Sequence, residues 1–315
     1  MLNKLLGLGG MGEVYLARRV VDAGLVEWNT SDLAAIKVVR RDVAAHLGGN
    51  AKAFANEIRL HRYLSHPNIV PIRGVTEEDG TLYMMMDYLE GNDLRGLLGL
   101  AREQGTRLSE GATCTILAQV ADALDYVHRA TDETGRALHI VHRDISPSNI
   151  RITVPGEVRL MDFGVAICDA EWREKTQSSW SGFKGKVPYL SPEQANRATL
   201  DGRSDLFALG SVLVECLTGR YLFCGDQEAL VLEAIQSVSR EFVENALQGI
   251  AEDLKATCHR LLARDREARY ATGKEVARAL REYAFLKRRF MLNSRTLARE
   301  VAALERRATE APPAA

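Results

Sequence analysis

An ordered series of short motifs, rich in glycine and in charged and amide side chains, constrains this chain more than any other feature. GLGGMGEV occupies residues 7–14, AAIK ends at Lys37, HRDISPSN covers 142–149 and DFG covers 162–164. So many motifs would not occur in this order by chance. Any fold assigned to the chain has to account for the whole series.

The series resembles the protein kinase superfamily. Residues 142–149 are similar to the catalytic loop H-R-D-x-x-x-x-N, and residues 162–164 follow at the interval typical of that family. SPE at residues 191–193 resembles the end of the activation segment, and Arg269 stands where the family pairs an arginine with that glutamate. The resemblance covers most of the chain, from about residue 5 to residue 283, and favours the eukaryotic-like Ser/Thr protein kinases of bacteria.

This resemblance implies an α+β, bilobal protein kinase-like fold. A small N-lobe would hold an antiparallel sheet and one regulatory helix over residues 1–86. The hinge and a mainly helical C-lobe would follow over 87–290. A C-terminal helix and a Pro/Ala tail would occupy 291–315.

Hydrophobic periodicity agrees with this division. Short apolar runs rich in β-branched residues predict strands over 14–20, 33–39, 69–75 and 81–88. Helical spacing predicts helices over 52–64, 109–128, 206–217, 254–262, 275–283 and 296–307, of which the last is expected to pack on its own domain. Because the chain begins almost at the glycine motif, the first strand is expected to be short.

The glycine motif predicts a loop that approaches phosphate. Gly7, Gly9 and Gly12 lack the Cβ atoms that would clash with a phosphate at close range. The same spacing marks dinucleotide-binding folds, in which the loop opens directly into a helix. Here the chain continues from Val14 as a strand, which favours the nucleotide loop of a kinase.

Lys37 and Glu57 are candidates for holding the phosphates. A cation at the end of a strand can bind the α- and β-phosphates if a carboxylate orients it. Glu57, on the predicted regulatory helix, would be that carboxylate. Either residue alone would be a solvated surface charge, but the order of loop, lysine and helical glutamate favours the functional interpretation.

The resemblance also assigns roles around the reacting atoms. Asp144 would accept or orient the proton of the attacking hydroxyl, and Asn149 and Asp162 would supply oxygen ligands to Mg²⁺. The hinge would offer the Asp87 carbonyl and the Leu89 amide to the adenine of ATP. Further nucleotide contacts are expected from Val14, Ala35, Met86 as gatekeeper and Asp93 as a partner of the ribose.

The chain departs from the family beside Asp144. Ser/Thr kinases usually carry a lysine two residues later, where the chain has Ser146, and a threonine where it has Lys186. We expect an exchange in which Lys186 supplies the cation and Ser146 the hydroxyl, because a four-carbon stem can reach the same place from another position. The alternative is a decayed site with an exposed Lys186.

Regulation and acceptor type are also implied by the resemblance. Arg143, next to the catalytic aspartate, marks kinases that are activated by phosphate on the activation segment. The candidate acceptors in that segment are Thr176, Ser178, Ser179 and Ser181. The loop 146–148 lacks the arginine that tyrosine kinases place there, which favours Ser/Thr substrates.

Composition indicates which classes of partner and which cellular compartment to expect. A formal net charge of −1 gives no indication of nucleic-acid binding. No apolar run approaches the ~18 residues of a membrane span. The 5 scattered cysteines contain no CxxC pair, which fits a reducing cytoplasm better than a disulfide framework or a zinc site, and each is expected to be buried.

Three functions remain as hypotheses. The first is an active protein kinase that uses ATP and Mg²⁺ on a protein substrate. The second is a pseudokinase, an ATP-binding module that regulates partners, supported by Ser146, Lys186 and the short first strand. The third is a small-molecule phosphotransferase, since fold does not fix substrate. The sequence predicts neither the protein target nor the oligomeric state.

Overall fold

The computed structural model describes residues 2–9, 12–18, 33–40, 63–79, 81–163, 186–288 and 293–310. Among the described residues of the N-lobe, five strands form an antiparallel sheet in the order β1-β2-β3-β5-β4. They are β1 (Leu2–Gly9), β2 (Gly12–Arg18), β3 (Leu33–Arg40), β4 (Ile72–Glu78) and β5 (Thr81–Asp87). The small antiparallel sheet predicted for this lobe is thereby confirmed.

Two strands differ from the prediction. β1 has 8 residues and pairs with β2 along its length, so the first strand is not short. β4 begins at Ile72, because Ile69 and Val70 turn toward the C-lobe, where the Val70 amide donates to the Leu160 carbonyl at 3.0 Å. Both side chains are buried there. Pro71, which follows, has no amide hydrogen with which to begin the ladder.

Several sequence predictions fall outside the described residues. The regulatory helix predicted over 52–64 does so with its Glu57, except for Tyr63 and Leu64, which are not helical. Residues 164–185, which contain the predicted phosphate acceptors, also lie outside.

The C-lobe is mainly helical. Its described helices are α1 (Leu94–Glu103), α2 (Glu110–His128), α3 (Pro192–Ala195), α4 (Gly202–Thr218), α5 (Glu228–Gln236), α6 (Arg240–Ala246), α7 (Glu252–Leu261), α8 (Gly273–Arg288) and α9 (Ser294–Glu310). α2 and α4 form the centre, since they are buried on nearly every side. As predicted, the Ser109 side chain caps α2 by accepting from the Ala112 amide. Gly219, with φ 73°, ends α4.

A second sheet, of three strands within the described ranges, connects the hinge to the catalytic loop. It consists of β6 (Gly91–Asp93), β7 (Ile150–Thr153) and β8 (Val158–Leu160), antiparallel and in that order. β7 begins directly after Asn149, and β8 ends just before Asp162. Ile150, Ile152 and Val158 have no exposed surface and attach the sheet to the C-lobe core. The sheet therefore fixes both motif loops against the hinge.

Two further features concern the helices and the cysteines. None of the helices in the described ranges combines the length and apolar character needed to cross a membrane. Of the described cysteines, Cys114, Cys216 and Cys258 are buried as expected. Cys224 is exposed, contrary to expectation, because it lies in the loop between α4 and α5.

Candidate active site

Asp144 lies at the centre of the site and is bound by two neighbouring side chains. The Asn149 side-chain amide donates to Asp144 Oδ2 at 2.9 Å and to the Asp144 backbone oxygen at 2.7 Å. The Lys186 ammonium donates to the same Oδ2. Burial raises the pKa of Asp144 above its ordinary value, although Lys186 acts in the opposite direction. The site thus holds a buried carboxylate between an amide and an ammonium.

The two residues that depart from the family occupy different environments. The Lys186 side chain is 24% exposed and ends on Asp144, so it does not extend into solvent as the decayed-site alternative requires. The Ser146 side chain is buried, and its hydroxyl lies 3.1 Å from the Ser148 hydroxyl. The geometry therefore favours the lysine half of the predicted exchange, while Ser146 is engaged within its own loop.

Asp162 is the second carboxylate of the site. The Lys37 ammonium, itself buried, donates to Asp162 Oδ1 at 3.0 Å. Burial opposes ionisation of Asp162, but the positive charges of Lys37 and Lys186 outweigh it and hold the pKa at about 2. Asp162 is consequently an anion at neutral pH.

Asp205 holds the backbone of the catalytic loop. Arg143 (φ 69°) and Asp162 (φ 61°) both adopt the left-handed region, which is unfavourable for residues with a Cβ atom and requires support from neighbours. The buried Asp205 carboxylate accepts from the backbone amides of His142 and Arg143, each at 2.8 Å. His128 Nε2 lies 2.8 Å from the same carboxylate. Burial opposes ionisation, yet these contacts hold the pKa of Asp205 below its ordinary value.

His142 ties the catalytic loop to the segment that carries Asp162. Its ring stacks at a tilt on Phe163, with 4.6 Å between centroids, and its Nε2 lies 3.1 Å from the Met161 carbonyl oxygen. Burial lowers the pKa of His142, so the ring is neutral at physiological pH. Because Met161 and Phe163 flank Asp162, this histidine restricts where that carboxylate can lie.

Glu193 and Arg269 form the ion pair that the sequence predicted. The Arg269 guanidinium donates to both Glu193 oxygens, at 2.7 and 2.9 Å, and Ser204 donates to one of them at 2.6 Å. Burial opposes ionisation of Glu193, but the hydrogen bonds and charge of Arg269 hold its pKa below the ordinary value. Phe207 lies under the guanidinium, 4.8 Å away. The pair fixes the end of the activation segment to the C-lobe core.

The N-lobe sheet brings the predicted nucleotide residues into register. Val14 on β2 pairs with Lys37 on β3, and Ala35 on β3 pairs with Met86 on β5. Gly9 pairs with Gly12 at the end of the β1–β2 ladder. Among the described residues, a Cβ atom added to Gly7 would meet no atom within 4 Å, so these residues do not by themselves require glycine there. An approaching ligand is a sufficient reason for it.

The hinge is held by an arginine that the sequence analysis did not identify. Arg151 on β7 donates through Nε to the Leu89 carbonyl oxygen at 3.1 Å. Arg73 on β4 binds the Asp87 carboxylate. Asp93 begins α1, accepting from the Gly96 amide at 2.8 Å. Arg151 pairs with Asp93 in the β6–β7 ladder, and no sequence motif predicts this contact.

Asn149 and Asp162 fit a magnesium site. The side-chain NH₂ group of Asn149 donates to Asp144. The carbonyl oxygen of the Asn149 side chain therefore points away from Asp144 and is able to coordinate a cation. Asp162 supplies an ionised carboxylate. Within the described ranges, no group of three or more His, Cys, Asp or Glu could hold a metal ion alone. Mg²⁺ usually takes its further ligands from substrate phosphates and water, and it would do so beside Asn149 and Asp162.

Comparison with known proteins agrees with this geometry. The family model for the protein kinase domain matches residues 1–282. The chain belongs to the protein kinase domain family. The kinase domain is 33% identical over 286 residues to tyrosine-protein kinase MasK of Myxococcus xanthus, covering 90% of this chain and 42% of that protein.

Two mycobacterial relatives are similarly close. The kinase domain is 34% identical to serine/threonine-protein kinase PknB of Mycobacterium leprae, and 33% identical to the protein of the same name in Mycobacterium tuberculosis. Each alignment covers 87% of this chain and 41% of the relative. The chain thus spans about two fifths of the length of these curated relatives.

Proposed function

We propose that this chain is a protein kinase that transfers the γ-phosphoryl group of ATP to Ser and Thr hydroxyls of proteins. The observation that carries the proposal is the buried Asp144, held by Asn149 and Lys186. A substrate hydroxyl that donates to Asp144 would be aimed at the phosphate, and its proton would pass to the carboxylate. The raised pKa of Asp144 makes it a stronger base for that proton.

The cations of the site would neutralise phosphate charge. Lys37 would bind the α- and β-phosphates, and Lys186 would face the transferred phosphoryl oxygens from the activation segment. Mg²⁺, when bound by Asn149 and Asp162, would add a divalent charge beside the same oxygens. Phosphoryl transfer requires alignment and charge neutralisation more than covalent catalysis, and this set of residues supplies both.

Ser/Thr acceptors are proposed over Tyr. The catalytic loop has no arginine at residues 146–148, and two of the relatives are named serine/threonine-protein kinases. MasK, which is equally similar, is named a tyrosine-protein kinase. The acceptor therefore has to be identified by experiment.

The test is to incubate the purified protein with Mg²⁺, γ-labelled ATP and a generic protein substrate, and then to identify the labelled amino acids. We expect label on Ser and Thr. Label on Tyr alone would contradict the acceptor assignment, and label on small molecules alone would indicate a small-molecule phosphotransferase. ATP binding without any transfer would indicate a pseudokinase.

A phosphate on the activation segment is the proposed activating signal. Arg143 Nε is buried and has no hydrogen-bond partner among the described residues. Arg143 lines a cavity of about 270 Å³ together with Arg266 and with the carboxylate of Asp201. A phosphorylated side chain that reached Arg143 would gain charge-assisted hydrogen bonds and order the segment that carries Lys186.

We expect active protein to carry at least one phosphate on Thr176, Ser178, Ser179 or Ser181. Replacing all four with Ala should lower activity about tenfold, because the ordering contacts at Arg143 are lost. Intact-mass analysis followed by peptide mapping checks this. Fully active protein without added phosphate would contradict it.

The remaining proposals concern partners and location. A protein substrate is the proposed partner, with neither nucleic acid nor membrane lipid, which the net charge of −1 supports. The proposed location is a reducing cytoplasm. The unbridged cysteines Cys114, Cys216, Cys224 and Cys258 support it.

A further inference from the structure

The last helix, α9, is seated firmly on the C-lobe although it lies beyond residues 1–282, which the family model matches. Its apolar stripe, Leu297, Val301 and Leu304, is 0%, 5% and 7% exposed. At its start, a Cβ atom on Gly156 would lie only 2.0 Å from the Ser294 carbonyl oxygen. Residues buried and packed this closely hold the helix in one position.

Polar contacts attach α9 to the lobe in three places. Glu300 accepts from the Ser109 amide at 2.7 Å and from the Ser109 hydroxyl at 2.6 Å, at the start of α2. One turn later, Gln104 donates to the Leu304 carbonyl at 2.8 Å. Asn92 donates to Glu305 Oε1 at 2.5 Å. Glu300 thus contacts the start of α2, whereas Glu305 contacts β6, the strand next to the hinge.

Asn92 stands directly before Asp93, the expected partner of the ribose. The strand that carries both is pressed against β7, since a Cβ atom on Gly91 (φ 144°) would lie 2.1 Å from the Ile152 carbonyl oxygen. Asp93 also begins α1 through its bond to the Gly96 amide. A displacement of Asn92 would therefore move the Asp93 carboxylate as well.

We propose that α9 positions the ribose subsite, with Glu305 acting through Asn92 to hold Asp93 where it meets the ribose hydroxyls of ATP. Glu305 and Asn92 are positioning residues in this account, and neither touches the nucleotide. The inference rests on the proposed function, because it requires that ATP binds at this hinge. It goes beyond that function by assigning a role to a helix outside the family match.

Recognition of the ribose provides a readout that general stability does not affect. Affinities for ATP and for 2′-deoxy-ATP, both with Mg²⁺, are measured on the full chain by titration. Glu305→Ala should lower the affinity for ATP about three- to tenfold and reduce the preference for ATP over 2′-deoxy-ATP, while kcat stays nearly unchanged. Asp93→Ala should abolish that preference. Asn92→Ala should match Glu305→Ala, and the double variant should be no worse than either single one.

Two variants serve as controls. Glu305→Gln keeps an oxygen that can accept from Asn92, and should retain the preference of the wild type. Glu300→Ala removes the Ser109 contacts from the same helix and should lower thermal stability without changing the preference.

Two results would be decisive against the inference. A Glu305→Ala protein that keeps the full preference, or a Glu300→Ala protein that loses it equally, would overturn the positioning role alone. A wild type that binds no ATP would remove the proposed function, and this inference with it.

Discussion

Replacing Lys186 with Thr is expected to lower the rate of phosphoryl transfer on the order of 10²–10³-fold, since removal of one preorganised group that stabilises transition-state charge costs about this much. The Lys186 ammonium ends on Asp144, and the chain has Ser146 where the family usually has its lysine. ATP affinity should change little, because Lys37 and the hinge are untouched. Initial rates at saturating ATP and an equilibrium titration measure the two quantities.

A second substitution tests whether Lys186 performs the role of the missing lysine. Adding Ser146→Lys to Lys186→Thr restores the usual family arrangement and should recover at least part of the rate. Lys274→Thr, at an exposed position on α8, makes the same chemical change away from the site and should have no effect. If the Lys186→Thr protein is inactive and Ser146→Lys recovers nothing, the exchange is wrong. A fully active Lys186→Thr protein would contradict it as well.

Replacing Arg269 with Leu is expected to lower the free energy of unfolding by about 3–5 kcal/mol, because it leaves the buried Glu193 carboxylate without its partner. The substitution also removes the donor to the Ala263 carbonyl, at 2.8 Å, and the cation on the Phe207 ring. Since Glu193 closes the activation segment, activity should fall together with stability. Urea denaturation followed by far-UV circular dichroism measures the change.

Arg278→Leu is the matched control for that substitution. Arg278 and Glu282 are an i, i+4 pair on α8, 3.9 Å apart, with side chains 73% and 62% exposed. Its loss should cost less than about 0.5 kcal/mol. An equal loss of unfolding free energy for the two substitutions would show that the buried Glu193–Arg269 pair stabilises the fold no more than the exposed Arg278–Glu282 pair does.

The site could be predicted largely because its residues lie within short linear motifs. Asp144, Asn149 and Asp162 were predicted because the motifs that contain them resemble those of the protein kinases, and the structure brings Asp144 and Asn149 into contact. The Lys186–Asp144 contact could also be anticipated, because the lysine missing from one motif reappeared in another. Ala35 and Met86, which were predicted to contact the nucleotide, lie in register because β3 and β5 are adjacent strands of the sheet.

Contacts between distant elements could not be read from the sequence. The Arg151 bond to Leu89 depends on how β7 lies beside the hinge, and Arg151 has no motif of its own. The Asn92–Glu305 bond joins residues far apart in the chain. The start of β4 was misplaced because Ile69 and Val70 have strand-like side chains, yet tertiary contacts with Leu160 determine their course.

The most direct test of the proposed mechanism compares wild type with Asp144→Asn in a single-turnover assay of γ-labelled phosphate transfer to a protein substrate, with ATP affinity measured in parallel. Asparagine keeps the shape of Asp144 but cannot take up the proton, so transfer should fall about 10²–10⁴-fold while ATP affinity stays within about threefold. Undiminished transfer by Asp144→Asn would contradict the role of Asp144 as base. A wild type that binds ATP but transfers no phosphate would contradict the proposal that this domain is an active kinase.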